Sequence, residues 1–143
     1  MKDNYVAYVG SYTHESSKGI HIYDCDVEEG RIYERCEVPI DNPSYITLSH
    51  DKRFLYAICD QGVSAYAITE DGSLELMNVA SINGMRGCHI SVTKANNFLV
   101  VSGYHDGKIT VMHVMLMVLL AVLLTRCSTK AWAALQNAIS VLT

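Results

Sequence analysis

The chain has 143 residues, enough for one ordinary domain with its own core, and 50% of its side chains are hydrophobic. Fifteen Asp and Glu against eleven Lys and Arg leave a formal net charge of -4. With no cluster of cations, this excludes nucleic acid as a partner, because phosphate binding needs concentrated positive charge.

Charge is unevenly placed. All fifteen acidic residues and nine of the cations lie within 1–113, whereas 114–143 hold only Arg126 and Lys130. The opening Met1-Lys2-Asp3-Asn4-Tyr5 has no apolar segment behind a basic start, so no secretory signal is read and a cytoplasmic location is expected. Cys25, Cys36, Cys59, Cys88 and Cys127 are odd in number, widely spaced and free of any CxxC pair. That pattern argues against a disulfide framework or a cysteine zinc site and fits a reducing compartment.

Residues 5 to 113 read as all β, because short runs of Val, Ile, Tyr and Thr alternate with turn residues and no 3.6-residue apolar period is sustained. In chain order the predicted strands are Val6–Val9, Ile20–Tyr23, Ile46–Leu48, Phe54–Ile58, Val63–Ile68, Phe98–Val101 and Ile109–Met112. Glu28-Glu29-Gly30, Glu70-Asp71-Gly72 and His105-Asp106-Gly107 are the predicted hairpin turns, with glycine supplying the positive φ such turns need.

The decisive signal is an internal repeat. Pro43-Ser44-Tyr45-Ile46-Thr47-Leu48-Ser49 followed by Phe54-Leu55 aligns with Gly87-Cys88-His89-Ile90-Ser91-Val92-Thr93 followed by Phe98-Leu99, a shift of 44 residues. Gly62-Val63-Ser64-Ala65-Tyr66 likewise matches Gly19-Ile20-His21-Ile22-Tyr23 and, after one inserted residue, Gly107-Lys108-Ile109-Thr110-Val111. A period in the low forties with about four short strands per unit is the mark of propeller blades. Residues 5–40 then supply the second, third and fourth strands of a first blade, 44–82 a complete blade, and 88–112 the first three strands of another. The expected fold is therefore all-β, a partial β-propeller of about two and a half four-stranded blades, some ten antiparallel strands in all.

Tyr8-Val9-Gly10-Ser11-Tyr12-Thr13, Gly19-Ile20-His21-Ile22-Tyr23, Asn42-Pro43-Ser44-Tyr45-Ile46 and Gly87-Cys88-His89-Ile90-Ser91-Val92 carry a family resemblance. The stretch 1–113 resembles the opening blades of the seven-bladed lactonase propellers, a family that includes 6-phosphogluconolactonases and carboxymuconate lactonising enzymes. The resemblance implies a carboxylic-ester hydrolase acting on a small sugar-acid lactone, in carbohydrate metabolism. Opening a lactone needs a base or positioned water and donors for the developing oxyanion, so no metal or other cofactor is expected.

The residues proposed for catalysis in that family lie mainly in later blades, so no catalytic set is carried onto this chain. Substrate-binding candidates are Tyr45, Arg86 and His89, on inner strands or the loops leading into them, with Ser11, Tyr12 and Thr13 near the mouth. Each has a plainer reading. His89, between Cys88 and Ile90, suits a hydrogen-bonded structural role as well as an acid or base. Tyr45 suits packing between blades, and Arg86, beside Gly84 and Gly87, reads either as an anion ligand or as a solvated loop charge. His14, His21, His50, His105 and His113 show no ligand spacing and are assigned no chemistry.

The tail, 114–143, reads as a separate unit. Val114 to Leu124 is an apolar run of eleven residues, too short to cross a bilayer alone and apolar on every side, unlike an interfacial helix. A short helical segment is expected here. A frameshift explains the run better: restoring one base after the Val114 codon permits a continuation with an Asp-Gly turn and an Arg-Pro-His sequence. The tail also lacks any acidic residue where roughly three or four would be ordinary. The expected product is a truncated, inactive lactonase fragment, prone to self-association through open sheet edges. The alternative is a non-catalytic β-repeat binding module with a C-terminal membrane-associating helix, although membrane contact is not favoured.

Overall fold

A computed structural model describes residues 5–115 and the strand 121–125. Eleven strands run in chain order: β1 (Tyr5–Gly10), β2 (Gly19–Asp26), β3 (Arg31–Pro39), β4 (Ile46–Leu48), β5 (Phe54–Cys59), β6 (Gly62–Ile68), β7 (Leu74–Ala80), β8 (His89–Val92), β9 (Phe98–Ser102), β10 (Ile109–His113) and β11 (Ala121–Thr125). They form three antiparallel meanders, β1-β2-β3, β4-β5-β6-β7 and β8-β9-β10-β11, each pairing only consecutive strands. No helix occurs among the described residues.

The repeat is visible in the hairpins. Ser49 N donates to Phe54 O at 2.9 Å, and 44 residues later Thr93 N donates to Phe98 O at 3.0 Å. In both turns the hydroxyl accepts the returning amide, Phe54 N on Ser49 Oγ at 3.0 Å and Phe98 N on Thr93 Oγ1 at 3.1 Å. Each turn then holds one residue at positive φ, Lys52 at 58° and Asn96 at 56°. The three predicted glycine turns also hold, with Gly30, Gly72 and Gly107 at φ 64°, 81° and 59°.

Two strands absent from the list of apolar runs, β3 and β7, close the first two blades. Both are largely exposed, so their sequences are polar enough to escape a hydrophobic search. Both also carry a bulge opposite the third strand of the blade, one between Ile22 and Tyr23, the other between Ala65 and Tyr66. Gly19 and Gly62 begin those third strands because the fourth strand passes too close for a side chain. A Cβ would lie 2.4 Å from Val38 O at Gly19 and 2.2 Å from Ala80 O at Gly62.

The core lies between blades. Alternate residues of β5 face opposite ways: Leu55 and Ala57 pack with Ile20 and Tyr66 toward the first blade, while Tyr56 and Ile58 pack with Ile90, Leu99, Val101 and Met112 toward the third. Polar clasps add to this. Tyr8 Oη donates to Gly72 O at 2.8 Å, and Lys108 Nζ donates to the carbonyls of Ile82 and Asn83 at 2.7 and 2.6 Å.

The expected helical segment is corrected within the described residues. Ala121–Thr125 is a strand that continues the third blade as its fourth, from Ile109 opposite Thr125 to His113 opposite Ala121. Five consecutive apolar or β-branched residues suit either state locally, and the free edge of β10 selects the strand by offering an unpaired row of backbone groups. The rest of the tail lies outside the described residues.

Candidate functional site

The connections β1–β2, β3–β4, β5–β6, β7–β8 and β9–β10 fall at one end of their sheets, because successive strands reverse direction and each meander starts from the same edge. Contacts between these loops show that they meet. A Cβ at Gly10 would lie 2.3 Å from Pro43 O, and one at Gly84 would lie 2.7 Å from an Asp106 carboxylate oxygen. The strands β4 and β8 run next to each other beneath them.

Asn42 is the centre of this end. It is buried and sits at φ 48°, a left-handed conformation that asparagine tolerates better than most residues. That turn aims its amide between two blades. The Thr13 amide and hydroxyl donate to Asn42 Oδ1 at 3.0 and 3.2 Å, and Asn42 Nδ2 donates to Asp60 Oδ2 at 2.8 Å. Asp60 Oδ1 accepts from Arg86 Nη1 at 2.9 Å, and the Arg86 guanidinium lies over the Tyr12 ring, 5.3 Å from its centroid. One connected set therefore runs through loops of all three blades: Thr13, Asn42, Asp60, Arg86 and back to Tyr12.

Arg86 is thus not a free loop charge. Its side chain is 31% exposed and that of Asp60 47%, so the pair is open to a ligand while each group is held in place. A bound carboxylate or phosphate could share this guanidinium, which offers five N–H donors and spends one on Asp60 in the contact described.

Tyr45 and His89 meet as a second feature. Their rings lie 4.7 Å apart at 57°, Tyr45 from the middle blade and His89 from the third. Both are exposed at the mouth, where an apolar pocket of about 190 Å³ lined by Gly10, Pro43, Ser44, Tyr45 and Ile46 opens. The Ser44 hydroxyl is buried beside it without a hydrogen-bond partner among the described residues.

Ser11 points elsewhere. Its hydroxyl donates to Gly19 O at 3.1 Å and touches Ser17 Oγ, which turns it away from the Arg86 set. Sequence reasoning missed Asn42 and Asp60. The signals were an Asn directly before Pro43 and an Asp in the short turn Cys59-Asp60-Gln61-Gly62, both of which read equally well as ordinary turn residues.

Comparison with known proteins agrees with the architecture. The sequence profile described as "Lactonase, 7-bladed beta-propeller" matches residues 6–119. The 6-phosphogluconolactonase of Bacillus subtilis is 34% identical over 113 residues, covering 75% of this chain and 32% of that protein. The 6-phosphogluconolactonase of Formosa agariphila is 32% identical over 108 residues, covering 69% of this chain and 31% of that one. A Bacteroides fragilis crystal structure assigned as a 6-phosphogluconolactonase superposes with a TM-score of 0.76 at 29% identity, covering 87% of this chain and 37% of that one. The fold is shared as well by the periplasmic gluconolactonase of Pseudomonas aeruginosa, with a TM-score of 0.74 at 24% identity over 82% of this chain and 36% of that one. The chain spans about a third of the length of the curated relatives it matches. Repeat, meander topology and profile agree: the chain belongs to the seven-bladed β-propeller lactonase family.

Proposed function

We propose that the loop end described above is part of the mouth of a 6-phosphogluconolactonase-like enzyme that opens a sugar-acid lactone by attack of activated water. In this reading Arg86, steadied by Asp60 and Tyr12, takes the anionic end of the substrate, and Tyr45 with His89 borders the ring. The observation that carries the proposal is the convergence of Tyr12, Thr13, Arg86 and Asp60 from three blades on one exposed set of hydrogen bonds. The B. subtilis and F. agariphila relatives support the substrate class.

The 143-residue chain itself is proposed to be an inactive cytoplasmic fragment, with 1–113 as its lactonase part and 114–143 as a tail read from another frame. Support for inactivity is the short share of the relatives that it spans, since a lactone needs groups on several sides of a closed mouth. Among the described residues no helix is long and apolar enough to cross a membrane, and the strand at Ala121–Thr125 removes support for an anchoring helix there.

The test is an assay of 6-phosphogluconolactone hydrolysis by this chain and by the product of a coding sequence resequenced and restored across the His113 and Val114 codons. The expected result is activity only in the restored product, lowered at least tenfold by Arg86→Ala. Hydrolysis by the 143-residue chain at the restored product's rate would overturn the fragment reading. Full activity of restored Arg86→Ala would remove Arg86 from the mouth.

A further inference from the structure

The first blade holds a second group of chemistry-bearing residues, away from the Arg86 set, that the lactone reading does not use. His21 lies on β2, and Glu34 and Glu37 lie on β3. Residues three apart on a regular strand face opposite ways, but the extra residue at the bulge changes this. His21 is paired with Glu37 and Tyr23 with Glu34, so both carboxylates emerge on the face of His21. The three side chains offer ligand atoms within 4.8 Å of one another.

The hydrogen bonding there leaves something unmatched. His21 Nδ1 is 2.6 Å from Glu34 Oε1, and Nε2 is 3.3 Å from Glu37 Oε1. A neutral imidazole has one N–H and one bare lone pair. Whichever nitrogen carries the proton, the other's lone pair faces a carboxylate oxygen, and a cation between them would resolve the conflict. Arg35 does not supply it, because its guanidinium is held by the Asp24 carboxylate and by Asp71 O at 2.5 Å.

The distances distinguish a metal ion from a second proton. An N–H···O bond to a carboxylate shortens to about 2.7–2.9 Å, as at Nδ1 but not at Nε2. Tetrahedral zinc with bonds of about 2.0–2.2 Å separates neighbouring ligand atoms by about 3.3 Å, which is the Nε2 to Glu37 spacing. The short Nδ1 contact to Glu34 is then the carboxylate that orients a metal-bound histidine. Ser17 Oγ, 2.9 Å from Nε2, and an open pocket of about 570 Å³ bordered by Ser16 and Ser17 leave room for a hydroxyl and water to complete the shell.

We propose that the first blade binds a divalent ion of the Zn²⁺ type between His21 Nε2 and Glu37, with Glu34 holding the imidazole through Nδ1–H. The ion bridges β2 and β3 at their bulge and braces the outer hairpin of that blade. It has no part in the proposed lactone chemistry, and its test does not depend on activity.

The experiment is titration of the full chain with ZnCl₂ by calorimetry, with CoCl₂ as a spectroscopic substitute. The expected result is one Zn²⁺ per chain, with affinity lost in Glu37→Gln and His21→Asn and lowered about 10–100-fold in Glu34→Gln. A Cys36→Ser variant should bind as the parent does, and the cobalt spectrum should lack a thiolate charge-transfer band. Circular dichroism checks each variant's fold; if His21→Asn does not fold, the two partly exposed glutamates carry the test. No binding by the parent, unchanged affinity in Glu37→Gln, or a thiolate band that Cys36→Ser abolishes would each overturn the proposal.

Discussion

The strands β5 and β9 hold the same place in the 44-residue repeat and begin alike, Phe54-Leu55-Tyr56-Ala57-Ile58 and Phe98-Leu99-Val100-Val101-Ser102. Their surroundings differ. Every residue of β5 after Phe54 is buried, whereas in β9 only Leu99 and Val101 are. The middle blade is covered on both faces, by Ile20 and its neighbours on one side and by Ile90, Leu99 and Met112 on the other. Among the described residues the third blade is covered only on the face toward the middle one. Near-equal sequences therefore make unequal contributions, and the number of neighbouring blades sets the difference.

Core truncation should expose this most strongly. Leu55→Ala or Ile58→Ala is expected to cost about 2–5 kcal/mol in urea denaturation, and Val100→Ala less than about 1 kcal/mol. Equal losses would mean that something covers the outer face of the third blade in solution. The glycines that open the third strands sharpen the same contrast. Gly62 sits at φ 139° with Ala80 O where a Cβ would go, so Gly62→Ala should cost about 3 kcal/mol or more. Its sequence counterpart Gly107, at φ 59° with nothing within 4 Å, should lose only about 1–2 kcal/mol as Gly107→Ala by the same measurement.

A smaller effect is expected at the join of the first two blades. Asn42→Ala removes the partner of the Thr13 amide and of Asp60, and should cost about 1–2 kcal/mol in thermal unfolding. Thr93→Ala, in an exposed hairpin of the third blade, should cost less. The smallest is a pH effect at the β6–β7 turn. The Thr69 hydroxyl, the Ser73 amide and hydroxyl, and nearby Arg35 pull the Asp71 carboxyl down to about 2. Its folded value lies below the unfolded one, so its contribution is present above about pH 4 and is lost as pH falls toward 2. Unfolding midpoints measured from pH 5 to pH 2 should fall less steeply in Asp71→Asn; parallel curves would remove Asp71 as a source of acid sensitivity.

Much of this was legible in advance where the chemistry is local. Strand runs from Val6 to Met112, the turns at Gly30, Gly72 and Gly107, and the shift between Ser49 and Thr93 follow from alternation, glycine and hydroxyl placement that neighbours in the chain impose on one another. The fourth strands were harder. β3 and β7 are edge-like and polar, and β11 was expected as a helix because an apolar run is ambiguous until an edge is offered to it. Of the candidate site, Tyr12, Thr13, Tyr45, Arg86 and His89 were named from their loops and inner strands and do come to one end, while Ser11 turns away.

By itself the sequence determined the β class, the repeat length and the blade order, because each depends on periodicity and turn chemistry within some forty residues. Only the tertiary structure decided which strand is buried on two faces, that Asn42 joins Thr13 to Asp60 across blades, and that a bulge brings Glu34 and Glu37 to the face of His21. Those outcomes depend on which strands and blades pair and pack together, and on a one-residue change of register. Neither is written in the spacing of side chains along the chain.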